Sequence, residues 1–115
     1  MPYRHQDFTV AVTESGTTFY LRLLGEFDRA GVGRVEEALA RLAQAPTPSR
    51  VVIDLRRLTF LDLAGLRTIL RANDRGRVEG FEVEVVRPRG LANRVFILTR
   101  AGQELSMVEA PEPYR

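Results

Sequence analysis

The sequence contains no cysteine and no lysine, and its only histidine is His5. The absence of cysteine excludes disulfides, thiolate metal sites and thiol nucleophiles, and it agrees with a reducing compartment. The absence of lysine removes the residue that commonly pairs with a phosphate or activates an acyl phosphate. His5 lies in an N-terminal arm that we expect to be loosely held, so a good general base is missing. We therefore predict that the chain is not an enzyme and needs no cofactor.

Long apolar runs are also missing. No segment approaches the ~18 uninterrupted apolar residues of a membrane-spanning helix, and no apolar stretch follows the first arginine near the N-terminus. We therefore expect a cytoplasmic protein without a membrane span. The formal net charge is only +2, which is too small to indicate nucleic acid as the partner.

Length and composition predict one globular domain. The chain has 115 residues, of which 44% are hydrophobic and 28% are charged. We predict a single domain over residues 1–115, with its core at about 8–105. Residues 106–115 are predicted to be a flexible tail, because the last seven include two prolines and show no periodicity.

Four segments have the pattern of β-strands. Residues 8–13 and 18–25 alternate apolar and polar side chains around a short turn, so they predict an antiparallel hairpin. Residues 51–55 form a short apolar run, which is typical of a central strand buried on both faces. Residues 81–86 alternate again and predict a fourth strand.

Three segments have helical spacing. The first begins at Val32 with Asp28 as a possible cap, and the second begins at Leu63 behind Asp62 and ends between Gly76 and Gly80. The third, at about 91–100, is predicted to bury one face and to end at Gly102; that face consists of Leu91, Val95 and Leu98. The element order is thus ββαβαβα, an α/β fold with a mixed four-stranded sheet flanked by helices.

Two acidic loops are the first candidate site. In such a sheet, ligands bind outside the carboxyl ends of the parallel strands, and residues 26–29 and 60–66 are expected there. Asp28 and Asp62 each precede a helix, so each is explained equally well as an N-cap worth about 1 kcal/mol. One alternative is a receiver-like domain in which Asp28, Asp54 and Asp62 together bind phosphate or Mg²⁺.

A stripe of arginines is the second candidate. Arg67, Arg71 and Arg75 follow one another at intervals of four on the polar face of the second helix. Like charges at this spacing repel one another, and Asp74 and Glu79 would neutralise part of the stripe. The stripe is either a solvated face or a docking face for an acidic partner.

Four segments in this order resemble the STAS domain family, which includes the anti-sigma factor antagonists. They are Gly25-Glu-Phe-Asp, Val51-Val-Ile-Asp-Leu, Phe60-Leu-Asp-Leu-Ala-Gly-Leu and Val95-Phe-Ile-Leu-Thr-Arg-Ala-Gly, and they cover roughly residues 8–105. The resemblance implies a mixed sheet with flanking helices and a protein that docks on a kinase-like anti-sigma factor. The docking region it implies consists of Asp28, Asp62, Leu63, Ala64, Gly65, Leu66, Arg67 and Arg71.

The chain departs from the family at the phosphorylated position. The family's acceptor serine follows the aspartate, and Leu63 stands there in this chain. Leucine has no hydroxyl, so we predict that serine phosphorylation does not switch partner binding. Thr59 and Thr68 are weak substitute acceptors. Leu63 either packs inward with the helix's apolar stripe or offers an apolar contact, which next to Leu66 would also suit a homodimer.

A further alternative keeps the fold and changes the role. The same domain would serve as a scaffold or accessory subunit of a larger assembly, or of a lipid-transport system. The identity of the bound protein separates this alternative from an anti-sigma factor antagonist.

Overall fold

The computed structural model describes residues 8–42, 46 and 48–108. His5 and residues 109–115, for which the sequence predicted a loose arm and the end of a flexible tail, lie outside the described residues. The helices and strands are β1 (Thr9–Ser15), β2 (Thr18–Phe27), α1 (Val32–Leu42), β3 (Arg50–Leu61), α2 (Leu63–Glu79), β4 (Glu82–Val86), α3 (Gly90–Thr99) and β5 (Ser106–Val108). The predicted mixed α/β class is confirmed.

The strands form one sheet in the order β1-β2-β3-β4-β5. β1 and β2 are an antiparallel hairpin, and every later neighbour is parallel. The prediction of four strands was wrong, because Ser106–Val108 is a fifth strand parallel to β4 rather than part of a flexible tail. Three residues are too few to show an alternating pattern, and this strand forms only where β4 offers a free edge.

The three helices lie on one face of the sheet. Each parallel connection moves one strand further in the same direction, and right-handed crossovers then place every helix on the same side. The main core accordingly combines side chains from all three helices with the inner residues of the strands. Tyr20, Val52 and Val86 form a smaller cluster, with Val108 packed against it, on the opposite face.

β3 is the central strand, as predicted, but it continues six residues beyond the predicted end at 55. Val51, Val52, Ile53 and Leu55 are all 0% exposed. The extension contains arginines and a threonine, so an apolar-run criterion misses it. Its buried residues Leu58 and Leu61 anchor it against β2, which it follows to the pair Phe27 and Leu61 through two register shifts.

The buried face of α3 differs from the predicted one. Ala92 and Phe96 are buried, while Leu91 and Leu98 are 65% and 78% exposed. Because α3 is apolar nearly all round, its sequence periodicity does not single out one face. The helix ends at Thr99 with Arg100 in the left-handed conformation, and the predicted stop residue Gly102 lies in the following 3-10 turn. Over the described residues, no helix is long and apolar enough to cross a membrane.

Candidate functional site

The ends of β2 and β3 lie side by side, as the sequence predicted for the two acidic loops. Phe27 and Leu61 are paired as the last residues of their strands. The backbone N–H of Asp62 donates a hydrogen bond to the carbonyl oxygen of Phe27 at 3.3 Å. The loops that follow the two strands therefore meet at one edge of the sheet.

Asp62 is the N-cap of α2, as predicted. Its Oδ1 accepts a hydrogen bond from the backbone N–H of Gly65 at 2.9 Å, and its carbonyl accepts the first helical bond from Leu66 at 3.0 Å. This cap satisfies one of the free amides of the first turn and stabilises the helix by about 1 kcal/mol. The carboxylate remains partly exposed, so its charge is also available at the surface.

Contrary to the sequence prediction, Asp28 does not cap α1 directly. It caps the short 3-10 turn Arg29–Gly31 by accepting from the N–H of Ala30 at 2.9 Å, and α1 begins directly after that turn. Gly31 is needed here because a Cβ would lie 2.6 Å from a ring carbon of Phe8. That ring stacks on Phe27 with centroids 4.8 Å apart, so the turn is held close to the end of β2.

Gly65 lets α2 approach the strand ends closely. A Cβ at this position would lie 2.7 Å from a methyl carbon of Leu61 and 2.9 Å from the carbonyl oxygen of Phe27. Atoms essentially never approach so closely, and a backbone oxygen cannot move aside as a flexible side chain can. Gly65 and Leu66, which the sequence placed in the docking region, are both buried beneath the exposed residues of the site.

Leu63 points outward. It occupies the first position of α2 and is 54% exposed, which decides between the two orientations that the sequence left open. Phe60, at the end of β3, is 43% exposed. Phe60 lies in the loop segment 60–66 that the sequence placed at this edge, but it was not among the predicted contact residues. Two large apolar side chains are thus exposed beside two aspartates at the same edge.

The three arginines of the stripe have different surroundings. Arg67 is exposed, and among the described residues no carboxylate pairs with it. Arg71 forms an ion pair with Glu36 of α1 at 3.4 Å. Arg75 pairs with Glu79 at 2.7 Å, as predicted, whereas Asp74 pairs with Arg77 rather than with the stripe. Of these three arginines, only Arg67, one helical turn beyond Leu63, has no carboxylate paired with it in the described part of the chain.

The two threonines proposed as substitute acceptors also differ. Thr68 is 1% exposed, and its hydroxyl donates to the carbonyl oxygen of Ala64 at 2.9 Å. The folded protein therefore does not present this hydroxyl to a kinase. Thr59 lies on an exposed part of β3.

Asp54 does not join Asp28 and Asp62. It is buried on the sheet face opposite the helices, where Arg56 binds both of its carboxylate oxygens, at 3.0 and 2.7 Å. Within the described part of the chain, no group of three His, Cys, Asp or Glu residues could hold a metal ion. The receiver-like alternative, which needed the three aspartates together, is therefore not supported by the geometry.

From these contacts we define the edge site as Asp28, Phe60, Asp62, Leu63, Ala64 and Arg67. These residues expose two large apolar side chains, two partly exposed carboxylates and one arginine. Such a surface suits contact with another protein better than enclosure of a small substrate.

Comparisons with known proteins agree with this architecture. The family model described as "Mlab, STAS domain" matches residues 10–109. The crystal structure of an anti-sigma factor antagonist from Mycobacterium paratuberculosis is 26% identical, with a TM-score of 0.75 over 88% of this chain and 85% of that chain. An anti-sigma factor antagonist STAS domain from Rhodobacter sphaeroides is 30% identical, with a TM-score of 0.56 over 69% of this chain and 85% of that chain.

The unphosphorylated form of the anti-sigma factor antagonist SpoIIAA shares the fold. It is 20% identical, with a TM-score of 0.75 and 90% of each chain covered. A comparison with curated protein sequences finds no significant match.

Proposed function

Because the chain belongs to the STAS domain family, we propose that it is a regulatory protein that binds an anti-sigma factor, a kinase-like protein, through the edge site. The observation that carries this proposal is the 54% exposure of Leu63 directly after the helix-capping Asp62. A large apolar side chain at the start of a capped helix is held in place. When a partner covers it, apolar surface leaves water and the complex is stabilised. The role requires no catalytic group and no cofactor, and we place it in the cytoplasm.

The M. paratuberculosis relative supports the sigma-factor role, since it is named an anti-sigma factor antagonist and aligns over most of both chains. The proposed contact region keeps Asp28, Asp62, Leu63, Ala64 and Arg67 from the sequence prediction, and adds Phe60. Arg71 is assigned a supporting role, because its charge is shared with Glu36. Complete burial of a leucine contributes about 1.5–3 kcal/mol, so covering the half-exposed Leu63 is worth roughly tenfold in affinity.

We further propose that serine phosphorylation does not switch this binding. A phosphate at the first position of α2 would add nearly two negative charges beside Asp62 and would repel a close-fitting partner. Leu63 cannot accept one, and Thr68 is buried. Binding is therefore controlled by the amount of each protein or by a modification elsewhere.

The description of the matching family model favours a second candidate. It names Mlab and no sigma-factor regulator. We therefore keep, as the second candidate, an accessory subunit in a larger assembly or a lipid-transport system. In that role the edge site would bind a different protein. A second copy of this chain is a third occupant that the exposed Leu63 would suit.

Affinity capture from native cell extract tests these assignments. The tagged chain, its Leu63→Asp variant and its Leu98→Asp variant are compared at moderate salt, and retained proteins are identified by mass spectrometry. Leu98 is also an exposed helical leucine, but it lies near the end of α3 that points away from the edge site. We expect a kinase-like anti-sigma factor that is lost with Leu63→Asp and kept with Leu98→Asp. Recovery of a transporter ATPase with the same dependence would instead support the second candidate, and loss with neither variant would contradict the edge site.

A further inference from the structure

A groove of about 450 Å³ opens beside the C-terminal ends of β4 and β5. Arg56, Val86 and Val108 reach it from the sheet face opposite the three helices. The loop that leaves β4 supplies the rest of one side, and Met107 completes the lining. The lining consists of Arg56, Val86, Arg87, Pro88, Arg89, Met107 and Val108.

Arg56 is held in one orientation by a buried carboxylate. Asp54 is 2% exposed, and it accepts from Nη2 of Arg56 at 2.7 Å, from Nε at 3.0 Å and from the backbone N–H of Arg56 at 3.1 Å. A buried ion pair of this kind is weak evidence for added stability, because desolvation offsets its attraction. It does fix the guanidinium, which is what a binding site requires of its supporting residues.

The other two arginines bring uncompensated charge. Residues 85–103 contain Arg87, Arg89, Arg94 and Arg100 and no aspartate or glutamate. Arg87 donates from Nη1 to the side-chain oxygen of Asn93 at 2.9 Å, and this neutral amide positions the guanidinium without cancelling its charge. Across the described residues, no carboxylate pairs with Arg87 or Arg89. With Asp54 neutralising Arg56, the groove has a net charge of about +2.

This arrangement differs from that of several arginines on the helices. On the helices, Arg41, Arg75 and Arg77 each have a carboxylate within ion-pair distance about one turn away. At the groove, three guanidinium groups instead surround one concavity that has no acidic lining residue. Four apolar residues also line the groove: Met107 and Val108 are half-buried, whereas Val86 and Pro88 are buried.

We propose that this groove binds the phosphate monoester of a small organic molecule with an apolar or aromatic body. Arginine forms paired hydrogen bonds with phosphate oxygens, and a phosphate dianion matches the net charge of the groove. Met107 and Val108 give the organic part an apolar surface to cover, and the volume falls in the usual range for small-molecule sites. No residue that lines the groove belongs to the edge site.

Nuclear magnetic resonance titration of the isotope-labelled full chain tests the proposal with three probes: phenyl phosphate, inorganic phosphate and phenol. We expect phenyl phosphate to give saturable shifts, confined to the groove amides of Val86, Arg87, Arg89, Met107 and Val108. Inorganic phosphate should bind there at least about fivefold more weakly, because it leaves Met107 and Val108 uncovered. Phenol should give no saturable shift.

Two matched double variants decide whether the groove arginines are responsible. Arg87→Gln with Arg89→Gln should raise the Kd for phenyl phosphate at least about tenfold. Arg41→Gln with Arg77→Gln removes the same net charge from exposed helical positions and should leave the Kd unchanged. Both pairs are on the surface, so their amide spectra should remain those of the folded chain.

The proposal is overturned if phenyl phosphate causes no saturable shift, or if both double variants weaken it equally, since general electrostatic attraction would then suffice. Equal affinity for inorganic phosphate and phenyl phosphate would overturn the assignment of an organic body. None of these outcomes depends on whether a protein binds at the edge site.

Discussion

The backbone N–H of Asp62 and the carbonyl oxygen of Phe27 are 3.3 Å apart, and this hydrogen bond joins the loop after β3 to the end of β2. Asp62 also caps α2, and the ring of Phe27 stacks on Phe8. One backbone contact thus links two strands, a helix and the 3-10 turn that Asp28 caps. We therefore expect substitutions beneath the edge site to affect stability more than partner binding.

Gly65→Ala should destabilise the fold by about 1–3 kcal/mol, because the added Cβ would overlap Phe27 and Leu61. Gly33→Ala is the matched control: Gly33 also lies in a helix, but a Cβ there meets nothing within 4 Å, so a gain of about 0.5–1 kcal/mol is expected. Urea unfolding measures both changes. Equal effects at the two glycines would contradict the close approach of α2 to the strand ends.

Asp62→Ala should lower the free energy of unfolding by about 1 kcal/mol, because the N–H of Gly65 loses its acceptor. Asp62→Asn should lower it by much less, since the amide oxygen still caps the helix. Comparing these two variants also distinguishes the effect of the helix cap on partner binding from the effect of the carboxylate charge. A partner that needs the carboxylate will bind the folded Asn variant weakly, whereas unchanged affinity would show that Asp62 acts only through the helix.

Leu63→Ser should create a phosphorylation site that the natural chain lacks. The side chain at this position is exposed, so a serine hydroxyl there would be open to a kinase. After incubation with the cognate kinase-like partner and ATP, intact-mass spectrometry should find one phosphate on the variant and none on the natural chain. Stoichiometric phosphate on the natural chain would contradict binding without a serine switch, and a further Thr59→Ala change would then test the exposed threonine.

Arg67→Glu should weaken partner binding about tenfold or more, since it reverses an unpaired charge next to Leu63. Arg71→Glu should weaken binding less, because Arg71 shares its charge with Glu36, and loss of that exposed pair should cost at most about 1 kcal/mol of stability. Arg77→Glu, near the far end of α2, is the control. If titration shows the same affinity for all three, the arginines play no part in docking.

Arg56→Leu should cost about 2–4 kcal/mol of stability, because it leaves the 2% exposed carboxylate of Asp54 without its charged partner. Changing Asp54→Val in the same chain should restore most of that loss. Thermal unfolding of the single and double variants measures the difference. A double variant no more stable than the single one would show that the carboxylate is not the source of the penalty.

Local sequence patterns predicted much of the fold. The apolar run at 51–55 marked the central strand because a strand covered on both faces excludes polar side chains. The residues Asp62 and Leu63 marked the start of α2 because capping depends on neighbours three residues away. The candidate edge followed from these elements, since parallel strands that are neighbours end on the same side. The absence of the family's acceptor serine, replaced here by Leu63, is evident from the sequence alone.

Other features depend on contacts between distant parts of the chain. The sequence assigned Leu91 and Leu98 to the core, but α3 is apolar on several sides and only its packing selected Ala92 and Phe96. Likewise, the sequence predicted that Asp28 caps a helix, whereas in the structure it caps the 3-10 turn Arg29–Gly31, which packs against the ring of Phe8. The fifth strand required the free edge of β4.

The sequence by itself determined the order of helices and strands from β1 to α3, the cap of α2, and a leucine where the family carries its acceptor serine, because each depends on residues close together in the chain. Only the tertiary structure decided that Leu63 faces outward, that Glu36 pairs with Arg71, and that Asp54 turns away from the other aspartates. Those outcomes depend on which surfaces remain uncovered after packing, and local periodicity carries no information about them.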